Sequence, residues 1–169
     1  MGVAPAATPP LAGFRPETRE FMAQIVSRYP TRRAGLLPLL SLAQEEHGYL
    51  TVEAMEQIAA FLGLSPTEVY ETASFYTLLH FRPIGEHLVQ VCTNLSCALL
   101  GARPVVEHLK QRLGVREGET TADGLFTLET VECIAACGGA PALQVNGRYY
   151  ERMTPSAADA LLDRLAGER

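Results

Sequence analysis

Two short stretches, "VCTNLSC" and "VECIAACGG", hold the only four cysteines of the chain. Cys92 and Cys97 have four residues between them; Cys133 and Cys137 have three. Each pair follows an apolar run that reads as a strand, "HLVQV" in the first case and "LFTLETV" in the second. A fold that uses both pairs at one place must therefore bring the ends of two strands together. That requirement constrains the second half of the chain more than any other feature.

The cysteines are not needed as staples. The chain has 169 residues, 47% of them apolar, which is enough for a core. Its net charge is −5, and both halves carry more acidic than basic residues. Neither half is a basic platform for nucleic acid. No apolar run reaches the length of a membrane span. The opening "MGVAPAATPPLAGF" lacks a charged segment followed by an apolar one, so it is expected to be a flexible leader over residues 1–14 and not a secretory signal. The expected location is the cytoplasm, where paired cysteines read as metal-binding or catalytic and not as structural disulfides.

Helical patterns fill the first half. "RPETREFMAQIVSRYP" places Pro16 at a helix start and Pro30 at its stop, with Phe21, Ile25 and Tyr29 at helical spacing. "RAGLLPLLSLAQEEHG" predicts a second helix with Pro38 in its first turn and Gly48 at its end. Thr51 and Gly63 bracket a third, and "SPTE" from Ser65 to Glu68 is a capping box opening a fourth. The period then changes. "FYTLLHF", "RPIGE" and "HLVQVCT" read as strand, turn and strand. A helix is expected from Pro104 to Gly114, a strand in "LFTLETVEC", and a hairpin in "PALQVNGRYYERM" with Asn146-Gly147 at its turn. Thr154 and Pro155 open a last helix. The pattern predicts an α+β chain in which helices precede a small sheet that itself carries helices.

Four thiolates admit several chemistries. Structural zinc takes pairs on tight knuckles with two to four residues between them, and these spacings fit only the wide end of that range. A dithiol redox site wants two intervening residues, which neither pair has. Buried structural cysteines are common, but they would not cluster into two short loops flanked by Gly, Ser and Asn. A [2Fe-2S] centre needs two thiolates per iron, which two close pairs supply. The bacterial and plant-type ferredoxin runs are absent, and no His–Cys pair suits a Rieske centre. Elsewhere the sequence holds little chemistry. His47, His80, His87 and His108 are scattered and read as surface or helix-end residues, and Glu45-Glu46 as solvated surface at a helix end. "GGAP" lacks the spacing of a dinucleotide loop. No nucleophile–base pair stands out, so no catalytic residue is assigned.

The stretches "SFYTLLHFRPIGEHLVQVCTNLSCALLGA" and "VECIAACGGAPALQVNG" resemble the small iron–sulfur subunit of NADH–quinone oxidoreductase, respiratory complex I. Its relatives include the equivalent subunits of NAD-linked hydrogenases and formate dehydrogenases. The resemblance runs from the helices near residue 15 to the final helix, with no departure at the four cysteines. It implies an N-terminal helical bundle over 15–74 and a thioredoxin-like α/β domain with a small mixed sheet over 75–169. It implies one [2Fe-2S] cluster held by Cys92, Cys97, Cys133 and Cys137, and a flavoprotein partner carrying FMN and NADH, alongside further subunits of the peripheral arm. The chain is then expected to be an electron-transfer subunit of an oxidoreductase, with no complete active site of its own. The reading from a different class is a zinc-stabilised interaction module. The helices ahead of the sheet are expected to supply much of the contact with the flavoprotein.

Overall fold

The computed structural model describes residues 11–168. The chain divides into two compact units at Pro83/Ile84.

The first unit is helical. It contains α1 (Pro16–Ser27), α2 (Leu36–His47), α3 (Val52–Leu62) and α4 (Pro66–Phe75), with a short 3₁₀ turn at Arg32–Gly35 before α2. The caps form where the sequence puts them. The Thr51 side chain accepts from Ala54 N, and Ser65 and Glu68 exchange both bonds of a capping box. Gly48 and Gly63 end α2 and α3 in the left-handed conformation that glycine adopts without a Cβ clash. The core of this unit joins Met22, Leu39, Leu40, Ile58 and Val69, all fully buried. Burial of each such large side chain contributes roughly 1.5–3 kcal/mol. The buried face of α1 is Met22 and Val26, whereas Phe21 and Tyr29 are exposed.

Three expectations are corrected here. Of the expected leader, residues 1–10 lie outside the described residues. Leu11 and Phe14 are buried in the helical core, joined by a turn from Phe14 N to Leu11 O, and Gly13 N donates to Gln57 Oε1. Two large apolar side chains on one short turn find a place among the helices, which anchors this stretch. "FYTLLHF" is not a strand. It is the end of α4 followed by turns, held by Leu50 N to His80 O at 2.7 Å and by the Gln44 side chain, which donates to Leu78 O and accepts from His80 N. These bonds keep residues up to His80 with the helices, so the division falls beyond the expected junction between 74 and 75. Finally, Glu46 is not solvated. Its side chain is 8% exposed, and Oε1 accepts from Arg15 N at 2.8 Å at the start of α1. A carboxylate there meets the positive end of the helix dipole.

The second unit is a four-stranded mixed sheet with helices: β1 (His87–Cys92), α5 (Leu95–Leu99), α6 (Ala102–Leu113), β2 (Phe126–Val131), β3 (Leu143–Val145), β4 (Arg148–Tyr150) and α7 (Pro155–Ala166). The strand order is β2-β1-β3-β4. β1 pairs parallel with β2, and the remaining neighbours are antiparallel. A parallel pair requires a crossover, which α6 supplies. Val89 and Val91 of β1 join Leu128, Leu143 and Val145 in one core with Val105 and Leu109 of α6 and Leu161 and Leu162 of α7. Gln90 points to the opposite face, where it donates to Glu129 Oε2 and accepts from Gln144, a polar ladder across three strands. The β3–β4 turn is Asn146-Gly147, both with positive φ, as this tight hairpin demands. His87 is buried on β1 with its ring 5.3 Å from that of Phe126, contrary to the surface or helix-end role expected for it.

Glu46 and Glu68 generate a prediction. Burial pushes the Glu46 carboxyl up, but bonds from Thr18 and from the Arg15 backbone and guanidinium outweigh it and hold the group below the ordinary glutamate value. The Ser65 backbone and side chain, with Arg33, lower Glu68 in the same way. Depressed carboxyls stabilise the folded state above their unfolded value and lose that contribution as pH falls through the folded one. The thermal midpoint of the first unit should therefore drop on acidification below the ordinary glutamate range. Glu46→Gln should lower the midpoint at neutral pH and flatten the acid decline, as read by circular dichroism at several pH values. An unchanged slope would show that Glu46 carries none of the effect.

Candidate metal centre

The site is built where β1 and β2 end side by side. Cys92 is the last residue of β1 and is paired in register with Val131, the last of β2. Thr93 N extends the ladder by donating to Val131 O at 3.0 Å. Both cysteine loops leave the sheet from this edge. Cys92 is fixed a second time through its N–H, which donates to Ala142 O.

Cys97 lies on α5, a short helix that the sequence pattern did not reveal; "LSCAL" reads there as loop. Its one local signal is Asn94, which caps it through a bond from Leu95 N to Oδ1. Leu95, Leu99 and Leu100 around Cys97 are 70%, 77% and 61% exposed. Cys133 and Cys137 sit on a loop closed by a 3₁₀ turn at Cys137–Gly139 and followed by a cis Ala140–Pro141 bond. Ala135, between them, has φ of 63°. That left-handed backbone aims its N–H at Cys133 Sγ, 3.4 Å away.

None of the four cysteines is in a disulfide. Cys133 Sγ and Cys137 Sγ are 3.6 Å apart. Burial pushes the Cys97 thiol up, a bond from the Ala142 N–H lowers it, and neighbouring Cys92 and Cys137 raise it further. The Cys137 thiol is raised first by its bond with Cys133 and by the Cys133 charge, with the Ser96 hydroxyl acting the other way. Each raised thiol thus feels members of both pairs. Among the described residues no three His, Cys, Asp or Glu side chains converge on a single-ion site.

The surroundings are of two kinds. Cys92 and Cys97 are 2% exposed and pack with Ala102 and Ala142, lined by Ile134, Ala136 and Ala140. Cys133 and Cys137 are open to solvent. The donors aimed at sulfur are the N–H groups of Ala135 and Ala142 and the Ser96 hydroxyl. The polar residues of "TNLS" and the glycines of "CGGAP" flank these sulfurs. Only Ser96 of that set supplies such a donor. Four thiol donors with inward N–H groups form a set that suits a thiolate-bound binuclear iron–sulfur group, two donors to each metal.

Ala135 provides a test of the loop. An L-residue in the left-handed region carries about 1–2 kcal/mol of strain. Ala135→Gly relieves it but adds about 0.4–1 kcal/mol of unfolded-chain freedom, so its stability should stay within about 1 kcal/mol of the parent. Ala135→Val, with a branched Cβ, should lower the thermal midpoint and weaken metal retention. Equal behaviour of Val and Gly would mean that the loop does not hold this conformation.

The sequence profile described as the thioredoxin-like [2Fe-2S] ferredoxin matches residues 22–166. A subunit of the NADH-quinone oxidoreductase of Rhizobium meliloti is 46% identical over 145 residues, covering 86% of each chain. NADH-quinone oxidoreductase subunit 2 of Thermus thermophilus is 42% identical over 161 residues, 93% of this chain and 89% of that one. The corresponding NADH-quinone oxidoreductase subunit of Mycobacterium bovis is 45% identical over 98% of this chain, which spans 65% of the mycobacterial protein. Among solved structures, an NAD+-reducing [NiFe]-hydrogenase in the H2-reduced state superposes with a TM-score of 0.70 at 25% identity, over 80% of this chain and 22% of that one. Profile, relatives and fold agree, and the chain belongs to the thioredoxin-like [2Fe-2S] ferredoxin family.

Proposed function

We propose that the chain is an electron-transfer subunit of an NADH:quinone oxidoreductase. In this reading it holds one [2Fe-2S] cluster on Cys92, Cys97, Cys133 and Cys137 and exchanges single electrons with the FMN of an NADH-binding flavoprotein. The observation that carries it is the convergence of two thiol pairs at one sheet edge, in a chain whose relatives are named as subunits of that complex. When bound, such a cluster supplies reversible one-electron storage. The protein supplies position and environment. Cys92 and Cys97 offer a buried pair, and Cys133 and Cys137 an open one. Ala135, Ala142 and Ser96 direct positive hydrogen toward sulfur, which offsets added negative charge in an acidic chain. The small apolar lining of Ile134, Ala136 and Ala140 limits water on the inner side.

Two pairs separated in sequence can give two ligands to each of two irons, whereas a single zinc would take all four about one point. The second reading, an equivalent subunit of an NAD-linked hydrogenase or formate dehydrogenase, draws on the likeness to the NAD+-reducing hydrogenase. The residues at the site serve both readings alike. Among the described residues no helix is long and apolar enough to cross a membrane, in keeping with a place in the peripheral arm of a larger assembly on its cytoplasmic side.

Exposed apolar side chains support a partner. Phe75 and Leu78 are 78% and 69% exposed in the first unit, and Leu95 and Leu99 flank Cys97 in the second. Side chains of this size left in water in groups mark contact surfaces.

Purified protein should contain iron and acid-labile sulfide in equal amounts, about two of each per chain. Stoichiometric zinc without sulfide, from cells supplied with iron, would overturn the proposal. Cys133→Ala should lose visible absorption and keep its far-ultraviolet circular dichroism, because both cores are apolar and do not include this exposed residue. Phe75→Glu and Leu99→Glu should each retain the visible spectrum and co-purify poorly with the flavoprotein. Undiminished co-purification of both would move the docking surface elsewhere.

A further inference from the structure

Apart from the thiols and Ser96, one bond between side chains joins the two cysteine loops among the described residues. Asn94 Nδ2 donates to Glu132 Oε2 at 2.5 Å. Asn94 lies between Cys92 and Cys97, and Glu132 immediately precedes Cys133. The Asn94 amide is oriented by its other end, since Oδ1 accepts from Leu95 N at 2.9 Å and caps the helix that carries Cys97. With the oxygen so engaged, the amide hydrogens face Glu132. The ladder between the strands ends one step earlier, where the Thr93 N–H and hydroxyl both donate to Val131 O. Beyond it, the Asn94–Glu132 bond is the one link between side chains of the two loops that the described residues show outside the thiols and Ser96.

We propose that Asn94 and Glu132 form a clasp that sets the spacing between the two thiol pairs, and that the Glu132 charge beside Cys133 lowers the reduction potential of the centre. This rests on the cluster reading above. Both residues act through the cysteines and are positioning residues. The bond is charge-assisted, so its loss releases a partner from each loop at once. A fixed negative charge next to a ligand disfavours an added electron, and solvent around exposed Glu132 moderates that effect without reversing its sign.

The two roles separate by substitution. Glu132→Gln keeps an oxygen that accepts from Asn94 but removes the charge. It should hold its iron as the parent does, with an unchanged visible circular dichroism spectrum, and shift the potential to a more positive value. Asn94→Asp keeps the helix cap, since Asp caps as well as Asn, but sets carboxylate against carboxylate. Iron release to a chelator should be about tenfold faster, equivalent to about 1.4 kcal/mol. The double variant Asn94→Asp with Glu132→Gln rebuilds the bond with donor and acceptor exchanged, and should recover the parental release rate. Failure of Asn94→Asp to speed release, or of the double variant to recover it, would overturn the clasp. An unshifted potential in Glu132→Gln would overturn the tuning role. The same exchange read on the thermal midpoint of metal-free protein tests the clasp independently. If the parent takes up no iron and sulfide, the cluster reading fails while the metal-free series still decides whether the two residues are coupled.

Discussion

The parallel pairing of β1 with β2 is the contact on which the site depends. Its register sets Cys92 opposite Val131, and thereby makes two loops far apart in sequence start from one edge. A slip of β1 by one residue would turn Val89 and Val91 out of the core they share with α6 and α7. The same hydrophobic alternation that stabilises the sheet therefore fixes the placement of the thiols. The centre needs no independent scaffold, because its coordinates are inherited from packing.

Around that edge the protein uses few polar groups. The inner thiols meet small alanines and one isoleucine, and the hydrogen bonds to sulfur come mostly from backbone N–H groups. Backbone donors have the advantage of rigidity. Their direction is set by the strand ends and by the Ala135 conformation, not by a rotamer, so the electrostatic environment of the sulfurs reorganises little when charge changes.

Features with a local code were readable from the sequence. The Thr51, Ser65 and Thr154 caps, the glycine stops and the Asn146-Gly147 turn each rest on a residue and its near neighbours. The cysteine pairs were readable because spacing and count carry chemistry. What was not readable depended on distant partners. Glu46 looks solvated until Arg15 and Thr18 arrive from another part of the chain. "FYTLLHF" has the composition of a strand, and Gln44 takes up the hydrogen bonds that a neighbouring strand would have used. α5 is too short to show a period, and the Asn94–Glu132 bond leaves no trace in either loop alone.

The unequal burial of the thiols gives the centre an inside and an outside. A reagent arriving from solvent meets Cys133 and Cys137 and not the pair behind them. If the proposed cluster is held here, its delivery, its extraction and attack by thiol-directed oxidants would all begin at these two exposed sulfurs. The hidden pair acts as the fixed jaw of a vice and the open pair as its moving one. Assembly and damage then share a single entrance, and whatever shields that entrance in a larger assembly governs the lifetime of the centre as well as its use.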